Sequence, residues 1–334
     1  SFLQINKIMG YNINEAILMG LRKVYQKIFH PTIPMLVKEM DADVAAKIIY
    51  DKISEGKPLM VSRFGAVEIS ALLNYCGIKS QRHNVWKFIK GQESEWWWNE
   101  GTRHCMKYNA GFFPNDDESL SRFGELMLRC IPDIDVLLSW QSGEVYFKEL
   151  LKKATLIGFI FVDPYWSKKP WTKVLKGKKV LVVHPFAQEI KYQYIHNRTK
   201  LFKNPEILPE FNLKTFQAVQ SIGGNSQFQS WFDALKYMED QIDKVDYDIC
   251  LLGCGAYGMP LAAHIKETGK QAIHFGGSLQ LLFGIRGKRW ETSRYGYDYF
   301  VDGIGKYPEL INEYWIRPFN SSKFDGSQNV EGSC

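Results

Sequence analysis

The sequence predicts an α/β protein on a mostly parallel sheet, and three observations predict it. Short apolar runs recur near residues 59, 134, 156, 180, 216, 248 and 271, alternating with helical patterns. The stretch Tyr247 to Trp290 compresses that pattern into one unit: an apolar run (Tyr247 to Leu252), a glycine turn (Gly253 to Gly258), a helical segment (Met259 to Thr268), a strand-like run (Gln271 to Phe275) and the turn Gly276-Gly277-Ser278. Strand, turn, helix and strand in that order make a βαβ unit. No linker divides the chain, so one domain is expected over 41–318, after a helical extension (1–40) and before a polar tail (319–334).

Taken in order, Asn14 to Phe29 reads as a helix with Ile17, Leu18, Leu21, Val24 and Ile28 near one face and Arg22, Lys23 and Lys27 between them. Docking of that stripe on the domain body is the first expectation, and peripheral contact with an acidic membrane through residues 14–29 the second. Asp41 to Ser54 is a second helix, and Leu59 to Ser62 the first buried strand. Arg63-Phe64-Gly65 then opens an apolar helix, Ala66 to Tyr75, with Glu68 in its first turn. Residues 81–130 are the least regular, with Trp96, Trp97 and Trp98 together and a helix from Asp116 to about Arg129. Ile134 to Leu138 and Thr155 to Val162 are strands around a helix holding Glu144 and Glu149; Asp163-Pro-Tyr-Trp166 follows as an aromatic loop. Lys178 to Val183 is a buried strand ending in His184-Pro185-Phe186, followed by a helix through Arg198 and an extended stretch from Phe211 to Gln220. A helix from Asn225 to Ile242 leads into the Tyr247–Trp290 unit, after which Arg286, Lys288, Arg289, Tyr295 and Tyr297 precede a helical segment at 307–315.

Composition narrows the function classes. The 334 residues are 45% hydrophobic and 23% charged, which describes an ordinary globular protein with room for a sizeable core. A net charge of +6 and a pI near 8.8 suit a phosphate-bearing ligand, and no basic run is dense enough for a nucleic-acid footprint. Six cysteines, at 76, 105, 130, 250, 254 and 334, form no CxxC pair, so free thiols in a reducing cytoplasm are expected and zinc is not. No apolar run reaches the roughly 18 residues of a membrane span. Ser1 and Cys334 read as ends of a piece of a longer chain.

Gly253, Gly255 and Gly258 spell G-x-G-x-x-G after a strand and before a helix, the context that brings a phosphate to helix N-terminal amides. A dinucleotide site places a carboxylate about 20 residues further on, at the end of the next strand. Here that strand ends in His274-Phe275-Gly276-Gly277, so a nucleotide or nucleotide-sugar fits better than NAD(P), and an NAD(P)-linked oxidoreductase stays the lesser alternative. A tight βα turn needing bare backbone for packing explains the glycines equally well.

Three turns after strands stand out together: Arg63-Phe64-Gly65-x-x-Glu68, His184-Pro185-Phe186, and Gly253 to Gly258 with Gly276-Gly277. The combination resembles the GT-D-fold bacterial glycosyltransferases, first described as a domain of unknown function in surface-glycan and adhesin-glycosylation loci. The resemblance spans about 45–315. It implies a Rossmann-like, GT-D-like fold with helices on both faces of the sheet. It also implies a nucleotide-sugar donor, UDP-sugar favoured, and a growing surface glycan (capsule or exopolysaccharide) or lipid-linked glycan as acceptor at the inner face of the membrane.

Carried over residue by residue, the resemblance makes Glu68 the catalytic carboxylate. It assigns donor binding to Arg63, Phe64, Gly65, His184, Gly253, Gly255, Tyr257, Gly258, Gly276, Gly277 and Arg289. The family pattern reads Arg-Phe-Gly-Asp-Gly-Glu, whose Asp-x-Glu pair serves the donor and any Mn²⁺ or Mg²⁺. This chain has Ala66 and Val67 at the two middle positions. With half the pair missing, weak metal dependence is expected, with Arg63, Arg286, Lys288 and Arg289 as candidates to hold the diphosphate. A chain that only binds a nucleotide or glycan is the other reading that Ala66 allows. His184 and His274, at strand ends, rank below Glu68 as bases.

Overall fold

The computed structural model describes residues 13–224, 226–292 and 303–319. Tyr295 and Tyr297 lie outside the described residues. The chain runs α1 (Ile13–Phe29), α2 (Ala42–Ser54), β1 (Leu59–Ser62), α3 (Ala66–Lys79), α4 (Val85–Ile89), α5 (Glu100–Tyr108) and α6 (Asp117–Cys130). It continues through β2 (Val136–Ser139), β3 (Thr155–Gly158), β4 (Lys179–His184), α7 (Ala187–Asn197), β5 (Asn212–Gln217) and α8 (Trp231–Ile242). β6 (Ile249–Leu252), α9 (Gly258–Glu267), β7 (Gln271–His274) and α10 (Leu279–Leu282) complete the unit foreseen around the glycine turn.

Among the described residues the strands form one seven-stranded sheet, ordered β3-β2-β1-β7-β6-β4-β5, with every pairing parallel. Val61 lies opposite Val136 on one side and Ile273 on the other. The two-residue alternation of the strands sends side chains to two cores. Met60, Leu137, Leu181, Val183, Cys250, Leu252 and Ala272 face α3, α6, α8 and α9. Leu59, Val61, Val136, Leu138, Val180, Val182, Ile249, Leu251 and Ile273 face α2, α7 and α10. Strands covered on both faces read as continuous apolar runs, which is why they were legible as short Val/Ile/Leu stretches.

Local chemistry fixes several helix starts. The Asp41 carboxylate accepts from Asp43 N and Val44 N, both at 2.9 Å, and Asp116 accepts from Ser119 N at 2.8 Å. Such caps contribute about 1 kcal/mol each. α8 starts at Trp231, later than the sequence suggests, because the Ser230 side chain caps Asp233 N at 3.2 Å.

Five expectations are corrected. The run 155–162 is strand only to Gly158; Phe159 to Val162 is a 3-10 turn. The segment with Glu144 is a 3-10 helix (Ser142–Phe147) in which Glu144 caps the turn, and 307–315 holds only a four-residue 3-10 helix (Tyr307–Leu310). The apolar stripe of α1 does not dock on the body: Ile17, Leu21, Val24 and Ile28 are exposed. The helix rests on α4 instead through its neighbouring face, with Arg22 over the Phe88 ring (4.9 Å) and paired with Glu95 (3.2 Å). The fifth concerns the thiols. Cys76, Cys130, Cys250 and Cys254 are free, but Cys105 is disulfide-bonded. No described helix is long and apolar enough to cross a membrane.

Candidate active site

The chain leaves β1 toward β2 and β4 toward β5, in opposite directions across the sheet. In parallel sheets such a reversal opens a crevice at the carboxyl ends of the strands between. Here those ends are β1, β7, β6 and β4, and they carry Ser62-Arg63, His274 to Gly277, Gly253 to Gly258, and His184. All the expected site residues except Arg289 therefore belong to one edge of the sheet or the helix turns just beyond it.

Arg63 is the hub of that edge. Its guanidinium lies 4.7 Å from the Phe159 ring centre and 5.1 Å from that of Trp140, and its Nε donates to the Phe64 carbonyl (3.3 Å). The same carbonyl accepts from Trp140 Nε1 at 2.7 Å, which ties the ends of β1 and β2 together. Gly276 has φ of +76°, and a Cβ there would collide with Arg63 Nη1. The glycine is thus required twice, by its left-handed backbone and by the guanidinium lying across it.

Glu68 sits in the first turn of α3, half-buried, with its carboxylate folded back over Gly65, where a Cβ would strike it. Burial raises its pKa, and its own backbone N–H and the Arg63 charge pull in the other direction. A carboxylate raised in this way suits proton abstraction near neutral pH better than an ordinary one.

The two histidines are buried and neutral. His184 Nδ1 accepts from Phe186 N at 3.0 Å, and burial pushes its pKa down to about 3. His274 lies 3.2 Å from Ser62 Oγ through Nδ1; burial, with the Arg63 charge, brings its pKa to about 3. Each is packed against a glycine of the G-x-G-x-x-G turn. A Cβ on Gly253 would come 2.5 Å from His184 Cδ2, and one on Gly258 would enter the His274 ring. Only Gly255, with φ of +57°, faces open space. The motif therefore divides: its outer glycines let two buried imidazoles close the βα turn, and its middle one leaves backbone bare.

Two expected donor-binding side chains turn inward. Tyr257 is buried, stacked on Trp231 (4.7 Å, 7°) with its hydroxyl 2.8 Å from Ser221 Oγ, so its ring belongs to the core and not to a pocket wall. Phe64 is fully buried and stacked on Phe147 at 5.9 Å. Gly277 is exposed, with the buried Trp290 ring 3.3 Å from where its Cβ would be. Arg289 is exposed beside that ring, 5.2 Å from its centre, and Arg286 is paired with Glu291 at 3.0 Å.

Sequence reasoning missed a carboxylate. Asp163 follows the 3-10 turn after β3, is 2% exposed, and accepts the Tyr307 hydroxyl at 2.6 Å. Burial raises its pKa to about 6, against the pull of Tyr307, Ser278 and the Arg63 charge. Read as strand up to Val162, the segment hid an acid that the premature turn brings toward Arg63. Glu144 was likewise missed: it is buried and accepts from Ser139 Oγ, Trp140 N and Gln141 N, a role complete within the turn it caps.

The family comparison falls on this edge. Residues 159–282 match the GT-D fold-like domain. The GT-D-like segment runs from the 3-10 turn before Asp163 through the glycine turn to the end of α10, while Arg63 and Glu68 lie upstream of it. The match supports a glycosyltransferase-type role. Two solved structures of domain of unknown function 1792, one selenomethionine-substituted and one described as a distinct glycosyltransferase fold, cover 90% of this chain and 99% of their own. Both are 14% identical to it with a TM-score of 0.33. No curated protein matches the chain.

Among the described residues no three His, Cys, Asp or Glu side chains come together. Both acids of this edge lie instead within the field of Arg63.

Proposed function

We propose that the chain is a glycosyltransferase that moves a sugar from a nucleotide-sugar donor, a UDP-sugar first, to a glycan or lipid-linked glycan acceptor in a bacterial surface glycan. One observation carries the reading: a guanidinium and a raised carboxylate, Arg63 and Glu68, share the carboxyl edge of a parallel sheet whose second half matches the GT-D fold-like domain. In the reaction, an acceptor hydroxyl oxygen bonds to the anomeric carbon and the bond from that carbon to the diphosphate oxygen breaks, its electron pair leaving with the diphosphate. Glu68 takes the hydroxyl proton, and Arg63 stabilises the charge growing on the leaving group. The bare backbone at Gly255 and Gly277 lets the donor come close. The exposed stripe of α1, with Lys23 and Lys27, is a surface for an acidic membrane carrying the acceptor.

A thermal-shift screen of nucleoside diphosphates and nucleotide sugars, with and without Mn²⁺, tests the reading, because a ligand of the native state raises its apparent stability. Stabilisation by UDP or a UDP-sugar is expected; none from any nucleotide removes the proposal. EDTA is expected to reduce transfer little, and Ala66→Asp, at the exposed start of α3, to make it more responsive to Mn²⁺. Complete loss of wild-type activity with EDTA, restored by Mn²⁺, overturns the Arg63 assignment.

A further inference from the structure

The reaction above needs the Arg63 charge aimed at the leaving diphosphate, and a long, rotamer-rich side chain does not hold a direction by itself. Two half-buried rings meet it at the carboxyl edge. Trp140 directly follows β2, and Phe159 opens the 3-10 turn that cuts β3 short. Their centres are 5.4 Å apart with the planes tilted by 31°, and the Arg63 guanidinium carbon lies 5.1 Å from one and 4.7 Å from the other. The three centres make a nearly equilateral triangle, with the guanidinium laid across the notch between the rings. Both distances fall within the roughly 6 Å over which an aromatic face attracts a cation. Hydrogen bonds fix the remaining rotation: the Phe64 carbonyl accepts from Arg63 Nε at 3.3 Å and from Trp140 Nε1 at 2.7 Å. With Nε engaged in this way, Nη1 lies across Gly276, next to the exposed Gly277.

Rings suit this task for a chemical reason. An aromatic face attracts the charge without accepting from the in-plane N–H groups, so the contact uses none of the donors that a phosphate oxygen takes. Only a planar guanidinium can lie on rings and present a fork of donors at once, which a lysine ammonium cannot do. The place of the charge also matters to its surroundings, because it acts on Glu68, Asp163 and His274. Phe159 and Gly276 fall within 159–282, the residues that match the GT-D fold-like domain, whereas Arg63 and Trp140 precede them. The seat of the charge is therefore assembled from both halves of the chain.

We propose that Trp140 and Phe159 are positioning residues that hold the Arg63 guanidinium across Gly276, aimed at the donor's diphosphate; this rests on the donor reading above. Calorimetric titration of the full chain with UDP tests it in the wild type, Arg63→Ala, Trp140→Leu, Trp140→Phe and the double variant Arg63→Ala/Trp140→Leu, each corrected for its folded fraction. Trp140→Leu is expected to weaken UDP about twofold to thirtyfold, the range of a cation–π contact. Trp140→Phe keeps a ring face and is expected to recover most of that loss. The double variant is expected to bind no more weakly than Arg63→Ala alone, because a residue that acts through another adds nothing once the other is gone. Phe159→Leu carries the same cycle should Trp140→Leu fail to fold. Additive losses, unchanged affinity in Trp140→Leu, or a Trp140→Phe variant as weak as Trp140→Leu overturns the positioning role. Equal UDP affinity in the wild type and Arg63→Ala overturns it too and leaves the donor reading standing, whereas no UDP binding by the wild type removes both.

Discussion

Two loops at the same edge of the sheet handle polar atoms and space in opposite ways. The glycine turn after β6 looks in sequence like the business end of the molecule, yet two of its three glycines are spent on closing the fold over His184 and His274. Its aromatic residue, Tyr257, has its hydroxyl bonded and its ring stacked. The loop after β3 carries no motif, yet holds a buried carboxylate, Asp163, that takes the Tyr307 hydroxyl beside the buried Tyr165, Trp166 and Ser167 groups, which make no hydrogen bond. A glycine signature reports where backbone must be bare, which serves a neighbouring side chain as well as a ligand. Unsatisfied burial is the costlier of the two arrangements.

The largest effect expected falls on Glu68. Glu68→Gln should lower transfer about 10²- to 10⁴-fold with the melting temperature little changed, as removal of a general base does. Because the Glu68 pKa is raised, the wild-type rate should climb with pH as the carboxyl loses its proton, and the variant's residual rate should lack that limb. Normal turnover in the variant would pass the role to another group.

Next comes Asp163, where the contrast between the loops becomes a pH effect. Its folded pKa of about 6 exceeds the ordinary 3.8, so between those values the native state holds more protons than the unfolded one. That contribution to stability is present below the unfolded value and is lost as pH rises through about 6. Asp163→Asn should therefore match the wild type near about pH 4 and exceed it by up to about 3 kcal/mol at about pH 8, measured by urea unfolding. Equal stability at both pH values would mean the carboxylate is well solvated.

Smaller effects separate the glycines from one another. Gly253→Ala and Gly258→Ala should each cost about 1–3 kcal/mol, the range for overpacking a filled site, and leave UDP affinity of the folded protein intact. Gly255→Ala meets no atom and should cost only about 1–2 kcal/mol for its positive φ. Gly255→Val adds bulk at the open position, so a loss of UDP affinity beyond the loss of stability is expected from calorimetry corrected for the folded fraction. Unchanged affinity would leave all three glycines as packing devices.

How much could be read beforehand follows the same division. All seven strands were legible, β1, β2, β4, β6 and β7 as short apolar runs buried on both faces and the less buried β3 and β5 as extended stretches, and so was the clustering of turns at their carboxyl ends. The end of β3 was not. Phe159-Ile-Phe-Val162 has strand composition, and only its packing, with Phe159 against Trp140 and Arg63, makes it a turn. The α1 stripe was recognised, but the first partner expected for it, the domain body, is not what it meets, because periodicity fixes which residues share a face and not what that face meets. His184 and His274 were visible as strand-end residues; their neutrality is a property of burial, which the sequence does not carry.

The sheet's centre joins the chain's two ends. β1 pairs with β7, and Ser62 lies against His274 across a separation of 212 residues. During synthesis β1 leaves the ribosome early and waits, with one edge open, until almost the whole domain has followed it. Pairings this distant in sequence are slow to form, and an open strand edge invites association with other chains. Nascent chains stalled before β7 are thus the species most in need of a chaperone. They also lack Gly276, the glycine under Arg63, so the edge that gathers the candidate site is completed only with the last strand.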